Sequence, residues 1–421
     1  MRYDNKDKLH EAKNCKKKVI KNIALGLAFV TTSVISVYAG NVLTAKGILP
    51  ITTDRKIQQS LEGINNVSEF SKLFSMRELL YRWYDGNIDD NALVEGAMKG
   101  MVASLKDPYT YYMNSEEYSD FKEKSEGNYM GVGIQVGIKD NKITVVSPIE
   151  GSPADKAGVL SGDVILAVND VPVNGEELNK AVSMMKGKTK DEVKLTLFRD
   201  GKGKFDLPVK RDVVKMINVK GQMLENGIGY IQVMGFDEGT AKAFNAKLKE
   251  LLDSGMNGLV LDLRGNPGGF MKECVDLVSN FVPKDKTIVS TIDKYGNEEK
   301  NVSKGGMAQG LPLIVLTDKG TASAAEIVAG AIRDYNLGTL VGTTTFGKGV
   351  VQVVLDNKED GTALKVTISK YYTPNGENIH KTGIKPHVEI EYPKELTEKQ
   401  YNRAQDPQFN KALEVLKDKM N

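Results

Sequence analysis

Ser323 and Lys348 lie 25 residues apart in the stretch GTASAAEIVAGAIRDYNLGTLVGTTTFGKGVVQVV, Gly320 to Val354. A serine hydroxyl is a poor nucleophile until a nearby base takes its proton, so Ser323 needs a partner before it can attack a carbonyl. The usual partner is histidine, but the chain has three: His10 in a charged N-terminal tail, and His380 and His387 close together near the end. Lysine is therefore the expected base. To act as one, Lys348 must be neutral, and burial can lower a lysine pKa from about 10.4 by up to several units. Gln352, four residues further along an apolar run with strand character, could hydrogen-bond the amine and hold it toward Ser323; its plainer reading is an ordinary polar strand residue.

Both main residues also have plainer readings. Ser323-x-x-Glu326 is a capping box ahead of the apolar stripe Ala324, Ile327, Val328, Ala331 and Ile332. A serine at that place nevertheless gains from the helix N-terminus, whose N–H groups and positive dipole end stabilise an oxyanion. Asn266-Pro267-Gly268-Gly269 forms a second strand-to-helix junction, and the two junctions on one sheet edge would lie where α/β folds bind ligands. The amides of Gly268 and Ala324 are the expected oxyanion hole, against the alternative of a tight turn. Gly347-Lys348-Gly349 could be an exposed hairpin tip. Gly342 to Lys348 also matches a nucleotide phosphate loop, but Gly349 replaces the Ser or Thr that would ligand Mg²⁺, and Val350 to Leu355 reads as a strand rather than a helix.

The elements that must position these residues alternate. Strands are expected at Gly229–Val233, Gly258–Leu263 and Leu311–Asp318, with helices at Ala241–Asp253, Phe270–Phe281 and after Thr321, a βαβ pattern with a mostly parallel sheet over 213–392. Upstream, 118–212 reads as short strands and turns. Met130 to Val136 is a glycine-punctuated strand, Ser152 to Gly158 (SPADKAG) a short capped helix, Asp163 to Asn169 (DVILAVN) a strand, and Glu176 to Lys186 a helix. This order resembles a PDZ domain, with Gly131, Val132, Gly133 and Ile134 matching its carboxylate-binding loop. Backbone N–H groups in such a loop can hold a terminal carboxylate while the next strand pairs with the peptide.

Before that module, 46–117 reads as a linker and a small helical unit. Phe70 to Leu105 has mostly helical apolar spacing, broken at Asp85-Gly86-Asn87 and closed by Asp107-Pro108. Its apolar stripe is expected to pack within the chain, with a homodimer contact as the alternative. A tail, 393–421, ends in a helix carrying Phe409, Leu413 and Leu416 on one face.

With 421 residues the chain exceeds one hydrophobic core, and 27% charged with 40% hydrophobic residues is ordinary for a globular protein. Residues 1–21 hold eight Lys and Arg against three Asp and Glu, which leaves a slightly acidic body of 49 basic and 52 acidic residues. Nothing in this balance asks for nucleic acid. Asn22 to Ala45 is free of charge over 24 residues, enough for a helix of roughly 36 Å against a hydrocarbon core of about 30 Å. Lys16, Lys17, Lys18 and Lys21 favour a cytoplasmic N-terminus, so a single-pass anchor with the catalytic part outside the cytoplasm is expected. A signal peptide cleaved near Val37-Tyr38-Ala39 is the rival. With the anchor uncleaved, Cys15 and Cys274 would lie on opposite sides, and so few His and Cys make a zinc site, or any other cofactor, unexpected.

GTASAAEIVAGAI, GKGVVQ, DLRGNPGG, Tyr371 to Gly376 (YYTPNG) and Thr382 to Pro386 (TGIKP) together resemble the carboxy-terminal processing peptidases, or tail-specific proteases, over roughly Phe70 to Leu416. The resemblance implies an α/β fold with a ClpP/crotonase-like βαβ protease core, an inserted PDZ domain and helical segments at both ends. It implies that Ser323 is the nucleophile, Lys348 the general base and Gln352 the residue orienting it, with protein or peptide substrates held by their C-terminus in the PDZ groove. His387 departs from the family, which often has Asp there. A PDZ scaffold that binds tails without cutting them is the rival from another class. A trypsin-like protease would need a histidine upstream of Ser323, and none stands between His10 and His380.

Overall fold

The computed structural model describes residues 70–397 and 401–420 and, ahead of them, 17, 21, 22, 25–40 and 42. The chain divides into two compact units, Met1–Leu93 and Val94–Asn421.

In the first unit residues 25–40 are helical and expose Leu25, Phe29, Val34 and Tyr38. Among the described residues no helix is long and apolar enough to cross a membrane. Positions 23, 24, 41 and 43–45 of the expected anchor, and Cys15, lie outside the described residues. The helix Ser71–Trp83 follows, and the helix Asp90–Ala103 begins after the break at Asp85-Gly86. Neither buries a residue: Phe74 is 74% exposed and Trp83 76%.

In the second unit, the PDZ segment is a sheet of strands Ile134–Lys139, Lys142–Pro148, Val164–Val168, Glu192–Arg199 and Gly203–Lys210, in that order. Asp140 and Asn141 both take positive φ, the geometry of a two-residue hairpin turn. Ser152 Oγ accepts the Asp155 N–H at 3.2 Å, Pro153 opens the helix Pro153–Ala157, and Gly158 closes it in the left-handed conformation. Alternating residues such as Ile143, Val145, Leu195 and Leu197 bury against the helix Leu178–Met185. Asn128–Gly131 and Asp212–Lys215, the strands that lead in and out, pair antiparallel and close the insertion.

The core of the remaining chain is a six-stranded sheet in the order Val219–Met223, Ile228–Val233, Gly258–Asp262, Leu313–Thr317, Thr339–Gly342, Val388–Glu389. Its first pair is antiparallel and the rest parallel. Every residue of Gly258–Asp262 and Leu313–Thr317 is buried, because helices cover both faces. Leu259, Leu261, Leu313 and Val315 join the core beneath the helices Thr240–Asp253, Met271–Val278 and Ala324–Asp334. Val260, Ile314 and Leu316 meet Phe409, Ala412 and Leu416 of the C-terminal helix Pro407–Met420 on the other side.

Beside it lies an antiparallel sheet that the βαβ reading did not anticipate: Tyr111–Met113, Ala363–Tyr372, Thr287–Asp293 and Glu298–Val302, with Val350–Asp356 also paired to Ala363–Tyr372. A strand thus follows Gly349, which removes the helix that a phosphate loop would require.

Candidate active site

Gly258–Asp262 and Leu313–Thr317 are neighbours in parallel register, Asp262 opposite Leu316, so the turns that follow them leave the sheet together. Hydrogen bonds join the two turns: Gly265 N–H to Asp318 Oδ1 at 2.8 Å, Ala322 N–H to the Asn266 carbonyl at 2.9 Å, and Thr321 Oγ1 to the Leu263 carbonyl at 2.9 Å. Gly268 closes the junction. A Cβ there would lie 2.7 Å from Ser323 Cβ and 2.9 Å from Ala324 N, and its φ of 98° is in the region that favours glycine.

Ser323 sits at the N-cap of Ala324–Asp334 with φ 55° and ψ −117°, a conformation that costs a non-glycine residue about 1–3 kcal/mol. Glu326 Oε2 accepts the Ser323 N–H at 2.9 Å, but the Glu326 N–H donates to the Ser323 carbonyl at 2.8 Å. The Glu326 carboxylate closes the capping box from its side, and Ser323 lines the cavity described below.

Glu326 does more than the motif suggested. Its carboxylate is fully buried and also accepts the backbone N–H of Gly347 at 2.7 Å and of Lys348 at 2.9 Å, and the Thr345 hydroxyl. One carboxylate thereby ties the serine turn to the lysine loop. The glycines flanking Lys348 belong to that loop's packing: a Cβ on Gly347 would meet Gly383 N at 2.9 Å, and one on Gly349 would meet His380 N at 2.6 Å. Lys381 N–H donates to the Gly347 carbonyl and Tyr371 N–H to that of Gly349, so the tripeptide is held rather than projecting as a hairpin tip.

Ser323, Ala324, Gly268, Lys348 and Gln352 all line one cavity of about 640 Å³, with an apolar wall that includes Phe236, Met271 and Ile327. Burial, helped by Lys365, holds the Lys348 amine below its ordinary pKa against the opposite pull of Asp107 and Glu326. Among the described residues no hydrogen bond joins Nζ to Ser323 Oγ; Nζ instead lies 4.9 Å from the centroid of the Tyr109 ring. Gln352 also differs from expectation. The ladder shifts register between Val351 and Gln352, and the Gln352 amide donates to Thr367 Oγ1 at 3.3 Å rather than to the amine. The Gly268 N–H donates to Asn266 Oδ1 at 2.8 Å, whereas Ala324, in the first turn of its helix, has no intrahelical acceptor for its N–H.

His380 and His387 do not line the cavity. His387 Nδ1 accepts the Leu340 N–H at 2.9 Å, and His380 packs edge-on against Tyr109. In the PDZ segment, Gly131 bridges to Lys186 at the end of Leu178–Met185. Gly133, at φ 81°, lies so close to Ser152 that a Cβ would approach its Cβ to 2.3 Å. Val132 is buried and its carbonyl accepts the Ala154 N–H at 2.8 Å, while Ile134 opens the strand Ile134–Lys139.

The charged residues of DLRGN do more than turn the chain. Arg264 pairs with buried Asp262 through Nε at 2.9 Å and Nη2 at 2.7 Å, reaches Asp406 at 2.8 Å, and Tyr230 donates to Asp262 at 2.8 Å. The available signal was a charged pair at the end of an otherwise apolar strand.

A strained serine at a helix N-terminus and a half-buried lysine thus line one cavity in the core that follows the PDZ-like segment. Residues 227–390 match Peptidase family S41, residues 130–207 the PDZ domain, and residues 30–117 the Activating protease CtpB N-terminal domain. The chain is 43% identical over 343 residues to the carboxy-terminal processing protease CtpA of Bacillus subtilis, covering 82% of this chain and 73% of that protein. To the carboxy-terminal processing protease CtpB of the same organism it is 36% identical over 326 residues, covering 76% and 68%. An S41-protease structure from Bacteroides fragilis shares the fold with a TM-score of 0.55 at 18% identity, over 80% of this chain and 94% of that one. The chain belongs to peptidase family S41, the carboxy-terminal processing serine proteases.

Proposed function

We propose that this carboxy-terminal processing serine protease works through a Ser323–Lys348 dyad. The observation that carries the reading is that Glu326 joins the backbones of both residues at the rim of one cavity. Neutral Lys348 takes the Ser323 proton as Oγ attacks a peptide carbonyl; the amine then gives that proton to the leaving nitrogen, and activates the water that hydrolyses the ester. The carbonyl oxygen is received by the Ala324 N–H and by the Gly268 N–H, for which it competes with Asn266 Oδ1. Gln352 turns from Thr367 to the amine when substrate fills the cavity. Purified protein should cleave an unfolded polypeptide such as casein, and Ser323→Ala and Lys348→Ala should each abolish cleavage; retention of cleavage by either variant contradicts the dyad.

Substrates are held by a free C-terminus at Gly131, Val132, Gly133 and Ile134. The charge-free segment Asn22–Ala45 and the lysines before it support attachment to a membrane with the catalytic part extracytoplasmic, which alkaline extraction of membranes would test. The exposed apolar faces of Ser71–Trp83 and Asp90–Ala103 support a homodimer. The silent-scaffold alternative predicts that a fluorophosphonate leaves Ser323 unlabelled.

A further inference from the structure

Lys348 Nζ makes no ion pair and no hydrogen bond among the described residues; its neighbour is the Tyr109 ring, 4.9 Å from amine to centroid. The same ring meets His380 edge-on at 6.4 Å and 67°, and the backbone of His380 abuts Gly349 beside the lysine. Tyr109 belongs to the turn 107–110, in which Asp107 accepts the Tyr109 N–H at 3.0 Å and the Thr110 hydroxyl at 2.6 Å. Buried Thr110 in turn accepts the Thr367 N–H at 3.0 Å, and Thr367 Oγ1 is the acceptor of the Gln352 amide. A single turn upstream of the PDZ insertion therefore touches both Lys348 and the partner of Gln352.

We propose that Tyr109 is a positioning residue for the base: its ring face seats the Lys348 ammonium beside the cavity, and the turn 107–110 decides where the amine waits and how firmly it keeps its proton. The proposal rests on the Ser323–Lys348 reading. An aromatic face attracts a cation and not a neutral amine, so the ring favours the protonated lysine. Burial and Lys365, from the strand Ala363–Tyr372, act the other way. Asp107 from the turn and Glu326 from the serine helix add to the pull of the ring. Asp237 also lines the cavity, and Lys370 and Lys381 face His380 behind the ring. The ring is thus the side-chain seat of the ammonium once Lys348 has taken the proton from Ser323.

The test is the rate at which a fluorophosphonate labels Ser323, followed across about pH 5 to 10, which depends on the free amine and involves no substrate binding in the PDZ segment. Tyr109→Phe should keep the wild-type profile. Tyr109→Leu should move the acid limb to lower pH by about one unit, the scale of a desolvated cation–π contact. Phenylalanines of increasing fluorination at 109 keep the ring's size while draining its negative face, so the limb should step down with each fluorine even if the leucine variant misfolds. A limb indifferent to fluorination, or one that moves upward, overturns the assignment. Lys348→Ala serves as the control: labelling at the wild-type rate defeats the dyad itself, whereas loss of labelling with an unmoved fluorinated series defeats only the role of Tyr109.

Discussion

Glu326 Oε2 accepts the backbone N–H of Lys348 at 2.9 Å across 22 residues of chain, and the same oxygen holds the N–H of Ser323. The relative placement of the Ser323 and Lys348 backbones is therefore tied to one buried carboxylate, with no hydrogen bond between the two side chains among the described residues.

Glu326→Gln would turn an amide NH₂ toward backbone N–H donors and leave at least one buried group unpaired. A loss of about 2–3 kcal/mol of stability is expected. A misplacement of even one ångström between reacting groups reduces turnover by about 100-fold, so kcat should fall steeply while KM changes little. Urea unfolding and steady-state cleavage measure the two effects; an unchanged kcat would show that the carboxylate does not set the geometry.

Ser323→Gly should be inactive yet more stable than Ser323→Ala by about 1 kcal/mol, because φ 55° with ψ −117° is open to glycine and not to alanine. Thermal melts of the two inactive variants make the comparison directly. Equal melting temperatures would mean that the corner relaxes once the hydroxyl is gone.

Lys348→Met should stabilise the fold near neutral pH. With its pKa held down by burial and by Lys365, Lys348 binds fewer protons folded than unfolded between its lowered value and the ordinary value of about 10.4. Wild-type stability therefore rises with pH through that window, and below it the buried charge is a constant cost. The advantage of methionine should be largest below the window and shrink as pH climbs toward about 10.4. Denaturant unfolding at several pH values would contradict the burial argument if the advantage instead grew with pH.

A peptide ending in a free apolar C-terminus should bind to Ser323→Ala protein, and the same peptide ending in an amide should not, since a backbone loop that receives a carboxylate loses its charged partner. Gly133→Val should abolish binding of the free-acid peptide, because the space a Cβ needs is filled by Ser152. Fluorescence anisotropy reads both outcomes. Equal affinity for acid and amide would place recognition elsewhere.

Much of the scaffold could be read without coordinates because local rules decide it. Gly258–Asp262 and Leu313–Thr317 are continuous apolar runs that only a sheet covered on both faces can bury, and SPADKAG spells its own cap, first turn and stop. Ser323, Lys348 and the Gly268 turn stood out as strand-to-helix corners and a lysine between glycines. What the one-dimensional pattern could not carry were relations between distant segments. The antiparallel sheet that places Tyr111–Met113 beside Ala363–Tyr372 joins strands some 250 residues apart, and neither has a periodicity that names its partner. Gln352 stands opposite Thr367 just after a register shift and donates its amide there, and the apolar stripe of Ser71–Trp83 looks the same in sequence whether it is covered or exposed.

The chain's order of residues alone determined the element types, the corner at Ser323 and the candidates for base and oxyanion donor, since propensity, capping and hydrophobic period act over a few residues. Only the tertiary structure decided that Glu326 bridges Ser323 to the Lys348 loop, that the Gly268 N–H is taken by Asn266, and that the lysine amine rests on Tyr109. These outcomes depend on which buried donor meets which acceptor when remote segments pack, and that pairing is settled by the whole fold minimising unsatisfied polar groups together.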